Sequence, residues 1–274
     1  MIVEYGRKTT VGGVVQRISK DWISEDRLRP YLSATYQDES QALRLYELDR
    51  RLSAALFHEI AYIEVALRNA MAGYLSTTYG VGWYADARVG FDLRVRENIT
   101  EAWESLPSRY TRNTERNQRL GGRLVAASMF RTWTNMLDKG GESGLEAPFE
   151  TADHDTIWTP SALEATFRGA RPLGRRLQDP DFRTHGITRE WIFKKISPIR
   201  YIRNRIAHHE SIAPNGIPVT GTDRRLTARE CHESCLEVAE MIDRDLAAFL
   251  RSNTSTGRIL DELDKLKESL GQDP

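Results

Sequence analysis

From Asp38 to Tyr79 the apolar residues fall at Leu45, Leu48, Leu52, Leu56, Ile60, Ile63, Leu67, Met71 and Tyr74, in steps of three and four. That spacing predicts one long amphipathic helix. Asp38, with Gln41 three residues later, resembles a capping arrangement at its start, and Gly80 with Gly82 predicts its end. The same periodicity predicts helices over Leu93–Leu106, Arg123–Leu137, Ile187–His209 and Thr227–Leu250. Breaks are expected at Gly121-Gly122, Gly140–Pro148, Pro172–Gly174 and Pro214–Pro218, each rich in residues that end helices. No alternating pattern of useful strand length occurs, and no internal repeat. The expected fold is all-α, a bundle of five or six main helices. Residues 1–23 read as an N-terminal extension and 24–251 as the helical domain. Residues 252–274 read as a Ser-Asn-Thr-Ser-Thr-Gly linker followed by a short charged helix or a frayed end.

The 274 residues are 40% hydrophobic and 28% charged, the balance of a globular chain. The longest apolar run is Leu246–Leu250, far short of the roughly 18 residues that cross a bilayer, so no membrane partner is expected. Charged residues such as Arg7, Lys8, Arg17 and Lys20 near the start replace the apolar core of a secretory signal, and only two cysteines occur, Cys231 and Cys235. Both observations predict a cytoplasmic protein.

Lysine plus arginine equals aspartate plus glutamate at 39 each, but the charge is segregated. Arg168–Arg205 holds eleven basic residues against three acidic ones. Arg109, Arg112, Arg116, Arg119 and Arg123 stand against Glu115 alone, whereas Asp138–Glu164 is strongly acidic. The first stretch is therefore a candidate phosphate-binding surface, with solvated helix faces as the alternative.

The most unusual local sequence is Ile199-Arg-Tyr-Ile-Arg-Asn-Arg-Ile-Ala-His-His-Glu210. Ile196, Ile199, Ile202 and Ile206 form a stripe that would anchor it in the core. Arg203 borders that stripe, where a guanidinium would be partly desolvated and would need a carboxylate or phosphate. An arginine with a histidine is the minimum set for phosphoryl transfer on RNA without a metal. An imidazole can take the 2′-hydroxyl proton, and the arginine can stabilise charge on the phosphoryl oxygens. Asn204, four residues before His208, is placed to orient the imidazole. Arg203 and His208 lie about 140° apart on an ideal helix, so a single site needs a helix end, a bend or a second subunit. The alternative is a capped helix end with histidines near the negative pole of the dipole and Arg203 paired to Glu210 or Glu64.

Arg203-Asn204-Arg205-Ile206-Ala207-His208-His209 resembles the Arg-Asn-x-x-Ala-His-His signature of the Abi-like (abortive infection) family, a branch of the HEPN superfamily. Leu45-Tyr-Glu-Leu48 and Ile63-Glu-Val-Ala-Leu-Arg-Asn69 resemble the family's first long helix, and Gly82-Trp83-Tyr84 resembles the segment after that helix. Arg123-Leu-Val-Ala-Ala-Ser-Met-Phe-Arg-Thr-Trp133 and Ile157-Trp-Thr-Pro-Ser-Ala-Leu163 resemble its two central blocks, with Arg131 where a glycine is usual. The basic loop Arg168–Arg183 looks longer than the family average. The resemblance runs from about residue 24 to 250. It implies a HEPN-like helical bundle with long antiparallel helices, commonly a homodimer. The implied activity is a metal-independent endoribonuclease leaving 2′,3′-cyclic phosphate ends, in phage defence or as a toxin restrained by an antitoxin RNA or protein. Carried over residue by residue, Arg203, Asn204 and His208 take the catalytic motif, and His209 also fits as the base. Glu64 and Arg68 match first-helix positions that could brace Arg203 or touch substrate, or else form an ordinary i,i+4 pair. Lys194, Lys195, Arg200, Arg205 and Glu210 stand beside the motif as RNA-binding or supporting residues. The contrasting reading is a non-catalytic RNA-binding or protein-interaction module built from the same residues.

Other chemistries fit less well. The pairs His58-Glu59, His209-Glu210 and His232-Glu233 lack the second histidine of a zinc protease helix, and Cys231 and Cys235 lack a fourth ligand at zinc spacing. His154 and His185 read as ordinary structural or exposed histidines. The six tryptophans are dispersed and read as packing residues. No glycine-rich phosphate loop is present, so neither a metal nor a nucleotide cofactor is expected.

Overall fold

The computed structural model describes residue 18 and residues 20–111, 118–219 and 222–271. Arg112, Arg116 and most of the N-terminal extension lie outside the described residues. In chain order the helices are α1 (Glu25–Ala34), α2 (Glu39–Tyr79), α3 (Leu93–Glu104), α4 (Ser108–Thr111), α5 (Gln118–Ala127) and α6 (Phe130–Met136). A small hairpin, β1 (Gly140–Glu142) and β2 (Thr151–Asp153), precedes α7 (Pro160–Thr166), α8 (Ala170–Leu177), α9 (Pro180–His185) and α10 (Arg189–Ala207). A second, β3 (Ile217–Pro218) and β4 (Arg225–Leu226), leads to α11 (Ala228–Ile242), α12 (Arg244–Asn253) and α13 (Thr256–Ser269). Both hairpins are antiparallel, with Gly140 opposite Asp153 and Ile217 opposite Leu226. The fold is all-α with two two-stranded additions. The helices are more numerous than the periodicity predicts, and only α2, at 41 residues, α10, at 19, and α11, at 15, are long.

α2 is the axis. At 1.5 Å per residue it runs for about 60 Å, and its predicted stripe is buried from Leu45 to Met71, with Tyr74 half-buried. The expected cap is present: the Asp38 carboxylate accepts from the Gln41 N–H at 3.0 Å. α1, α10, α11 and α13 pack along α2, with α6 and α7 towards its later turns. Where the sequence predicts one helix over Arg123–Leu137, two form. The Ser128 hydroxyl donates to the Leu124 carbonyl at 2.8 Å and Met129 turns extended, so α6 starts afresh. The predicted helix Thr227–Leu250 likewise divides at Asp243, whose extended backbone ends α11 while its carboxylate accepts from the Asp245 N–H and caps α12. In both cases the apolar spacing continues across the break, so periodicity alone hides it. Conversely, Gly121-Gly122 and Pro172–Gly174 do not break the chain; they lie inside α5 and α8. Pro172 falls in the first turn of α8, where a missing N–H costs nothing.

The first hairpin is tied to the bundle by His154, which is buried. Its Nε2 accepts from the Asp92 N–H at 3.2 Å, which leaves the proton on Nδ1 to donate to the Asp138 carbonyl at 3.0 Å. Burial pushes His154 below its ordinary value near 6.5, against the pull of Asp92 and Asp138. Arg189, at the start of α10, donates to Asp155 and the Leu137 carbonyl, strapping the same loop to the helix that carries the candidate site. Because the unfolded chain binds the His154 proton more readily than the folded one, stability is full above about pH 6.5 and falls as the pH drops below it. Denaturant melts at about pH 7 and about pH 5 should show this loss, and His154→Gln should flatten the pH dependence while lowering stability at pH 7.

Candidate functional site

α10 begins at a Thr188 cap and continues through Pro198, burying Ile192, Ile196, Ile199, Ile202 and Ile206 as one stripe. It ends in a hydrogen-bonded reversal. His208 is the last near-helical residue, the His209 N–H donates to the Ile206 carbonyl at 2.9 Å, and the Glu210 N–H donates to the Arg205 carbonyl at 2.9 Å. This pair of bonds is a Schellman cap, and it requires the residue after the cap to be left-handed. His209 fills that place with φ +56°, where glycine is usual.

The reversal is fixed from α2. The wholly buried Asp49 accepts from the Ile212 and Ala213 N–H groups at 3.0 and 2.7 Å through one oxygen, and from the Tyr31 hydroxyl at 2.6 Å and Arg50 through the other. Arg50 donates onward to the carbonyls of His209 and Glu210, and Arg27 also donates to the His209 carbonyl at 2.8 Å. Burial works against the Arg50 guanidinium, but its bond to Asp49 prevails and its pKa rises; burial beside Asp49 pushes the Tyr31 phenol far up. None of Tyr31, Asp49, Arg50 or Arg27 stood among the sequence candidates. The signal for Asp49 was there, a carboxylate between Leu48 and Leu52 on the apolar stripe.

Asn204 and His208 are exposed and line one shallow depression of about 340 Å³ with Tyr201, Arg205, Glu210 and Pro218. No side-chain hydrogen bond joins Asn204 to His208; the link is the His208 N–H to the Asn204 carbonyl at 3.0 Å. Arg205 pairs with Glu210 across the depression. Glu210 is thus engaged, and the pairing of Arg203 with Glu210 or Glu64 that the alternative reading named is absent among the described residues. Arg203 is half-buried, has no ion-pair partner among the described residues, and its Nε is buried without an acceptor. It does not line the depression that holds His208. Glu64 and Arg68 do not pair either; Arg68 instead reaches the Ala126 carbonyl at 3.4 Å, tying α2 to α5.

The basic stretch reads differently in three dimensions. Lys194 pairs with Asp181 and Glu190, each at 2.9 Å, and Lys195 with Glu237 at 3.1 Å and Asp179 at 3.5 Å. Arg171 pairs with Glu164, Arg176 with Glu240, and Arg189 with Asp155. Arg200 faces Thr134 and Asn135 at 3.5 and 3.4 Å. Six of the eleven basic residues of Arg168–Arg205 are thus paired with carboxylates, some from within or beside the stretch and others, such as Glu237 and Glu240, from α11.

The remaining sequence candidates are structural. Both cysteines are buried, Cys231 pushed up to about 12 and Cys235 well above the ordinary thiol, so neither is a reactive thiolate. His232 bonds to the buried Glu59 at 3.0 Å. Among the described residues no group of three or more histidines, cysteines or acids could hold a metal ion. Nor is any described helix long and apolar enough to cross a membrane.

Residues 22–137 match the family described as Abi-like protein. The matched segment runs from before α1 to the end of α6 and stops short of α10. No curated protein and no solved structure matches the chain.

The Asp49 cluster makes a direct prediction. Asp49→Ala, which strands Tyr31, Arg50 and two buried N–H groups, should cost about 3–5 kcal/mol in denaturant unfolding. Tyr31→Phe, which removes one donor only, should cost about 1–2 kcal/mol.

Proposed function

We propose that the chain is a metal-independent endoribonuclease of a phage-defence or toxin-antitoxin system, with His208 as general base and Arg203 stabilising the scissile phosphate. The match of residues 22–137 to the Abi-like family supports the defence role. The observation that carries the chemistry is Arg203. Nearly every other basic residue of α10 has a carboxylate or side-chain oxygen to face, whereas Arg203 is half-buried with an unsatisfied Nε. A guanidinium held in that condition loses solvation without return until an anion reaches it, and a phosphate is the anion its planar fork suits.

In the reaction the imidazole of His208 takes the proton from a ribose 2′-hydroxyl. The 2′-oxygen then bonds to phosphorus, the bond to the 5′-oxygen breaks, and that oxygen leaves with a proton from water. Arg203 meets the charge on the phosphoryl oxygens, and the products carry a 2′,3′-cyclic phosphate and a 5′-hydroxyl. Arg203 and His208 open to different sides of α10, so the complete site takes Arg203 from one copy and His208 from another in a homodimer. Asn204, beside His208 in the depression, contacts the ribose or its phosphate. The Schellman cap supports different roles for the two histidines. His209 fills the left-handed turn position and His208 is the base.

A second reading, an RNA-binding module, is favoured by the same unpaired Arg203, which would grip a phosphate without cleaving. Incubation of the full chain with a mixed RNA pool in EDTA, read by end-group chemistry, separates the two. Wild type should leave cyclic phosphate ends. His208→Ala and Arg203→Ala should each lose about 10²-fold or more in rate with folding intact. His209→Gly, which suits the turn better, should keep activity with stability unchanged or raised by up to about 1 kcal/mol. RNA bound but never cut by wild type would favour the module, and loss of cleavage in His209→Gly alone would move the base to His209.

A further inference from the structure

A cavity of about 710 Å³ lies away from α10, between α3, the single turns of residues 83–91 and the first hairpin. That volume is within the roughly 300–1,000 Å³ of small-molecule sites. It shares no lining residue with the depression around His208. Its walls are aromatic: Trp83 and Phe91, themselves buried and packed edge to face at 6.2 Å, with Trp103 and the exposed Phe149 of the hairpin loop, and Ile99 of α3.

The wall is built, not slack. The Ser143 hydroxyl donates to the Phe149 carbonyl and accepts from the Leu145 N–H at 3.0 Å, and the Ser143 N–H donates to the Glu150 carbonyl at 2.8 Å, so the loop is closed upon itself. Arg96 spans the cavity from α3 and donates through one nitrogen to the Ser143 carbonyl at 2.9 Å. It has no ion-pair partner among the described residues. The one carboxylate among the lining residues, Asp86, is already engaged by Arg88 through both oxygens. The cavity therefore offers an aromatic wall, with Trp103 and Phe149 its accessible rings, and one uncompensated positive charge.

We propose that this cavity is a binding site for a small planar aromatic anion, its rings against the wall that Trp103 and Phe149 expose and its negative group on Arg96. Aromatic stacking supplies most of the affinity, and the guanidinium orients the ligand and rejects cations.

The test uses the full chain with two dyes of nearly the same shape, 8-anilinonaphthalene-1-sulfonate and its uncharged analogue N-phenyl-1-naphthylamine, followed by dye emission and tryptophan quenching. Wild type should bind the sulfonate at one saturable site. Arg96→Gln, on the exposed face of α3, should weaken the sulfonate about tenfold and the neutral dye by less than about twofold. Thr100→Trp, which places an indole in the cavity from an exposed position, should abolish both. The proposal is overturned by absence of saturable binding, by binding that survives Thr100→Trp, or by Arg96→Gln affecting both dyes alike. Should Thr100→Trp lower the melting temperature, the Arg96→Gln comparison between the two dyes decides alone.

Discussion

A single carboxylate holds the end of α10 in place. Asp49 sits wholly buried one turn into the core stretch of α2, and its two oxygens take four donors from three parts of the chain. Removing such a group from water is costly, and only a full set of partners offsets it. Tyr31 locks α1, the Ile212 and Ala213 N–H groups lock the segment after α10, and Arg50 passes the hold on to the carbonyls of His209 and Glu210. The exposed histidines thus stand on a hydrogen-bonded turn, and no hydrogen bond from the described residues restrains their rings. A site needs this combination, a fixed backbone with free side chains.

Charge organises the rest. A chain with equal numbers of acids and bases could scatter them, but here the basic stretch of residues 168–205 is met by acids from α7, the loop before α7, α9 and α11. Several of these pairs are exposed and contribute little each. They consume part of the cations that would otherwise attract any polyanion, and Arg203 and Arg96, in two separate surroundings, have no ion-pair partner among the described residues. A local field from one unpaired arginine discriminates by position, whereas a broad cationic face discriminates mainly by salt.

Much of this was legible in the sequence where local physics decides. The three-four spacing and the Asp38 cap gave α2, and the isoleucine stripe gave α10 within two residues at each end, because in each the apolar face is continuous and the first turn is capped by a side chain. The divisions at Ser128 and Asp243 were not legible, since hydrogen bonds end those helices while the apolar rhythm continues. The motif Arg203–His209 stood out by composition. Its geometry did not, because the left-handed His209 has no sequence signal of the kind a glycine would give. Pairings such as Arg176 with Glu240 join residues far apart in the chain and could be found only in the folded state.

The end of the chain has a part in this too. Glu59, another acid buried on the inner face of α2, accepts from the hydroxyls of Thr254 at 2.7 Å and Thr256 at 2.6 Å, and α13 lays Ile259, Leu260, Leu263 and Leu266 into the core behind them. A segment whose composition suggests a tether is in fact a closing clasp. Shortened versions of the protein that stop before the threonine-serine linker would strip the buried Glu59 of both hydroxyl donors and leave it His232 alone. Such fragments would be poor vehicles for crystallisation, labelling or fusion, whereas additions beyond α13 would leave the clasp closed.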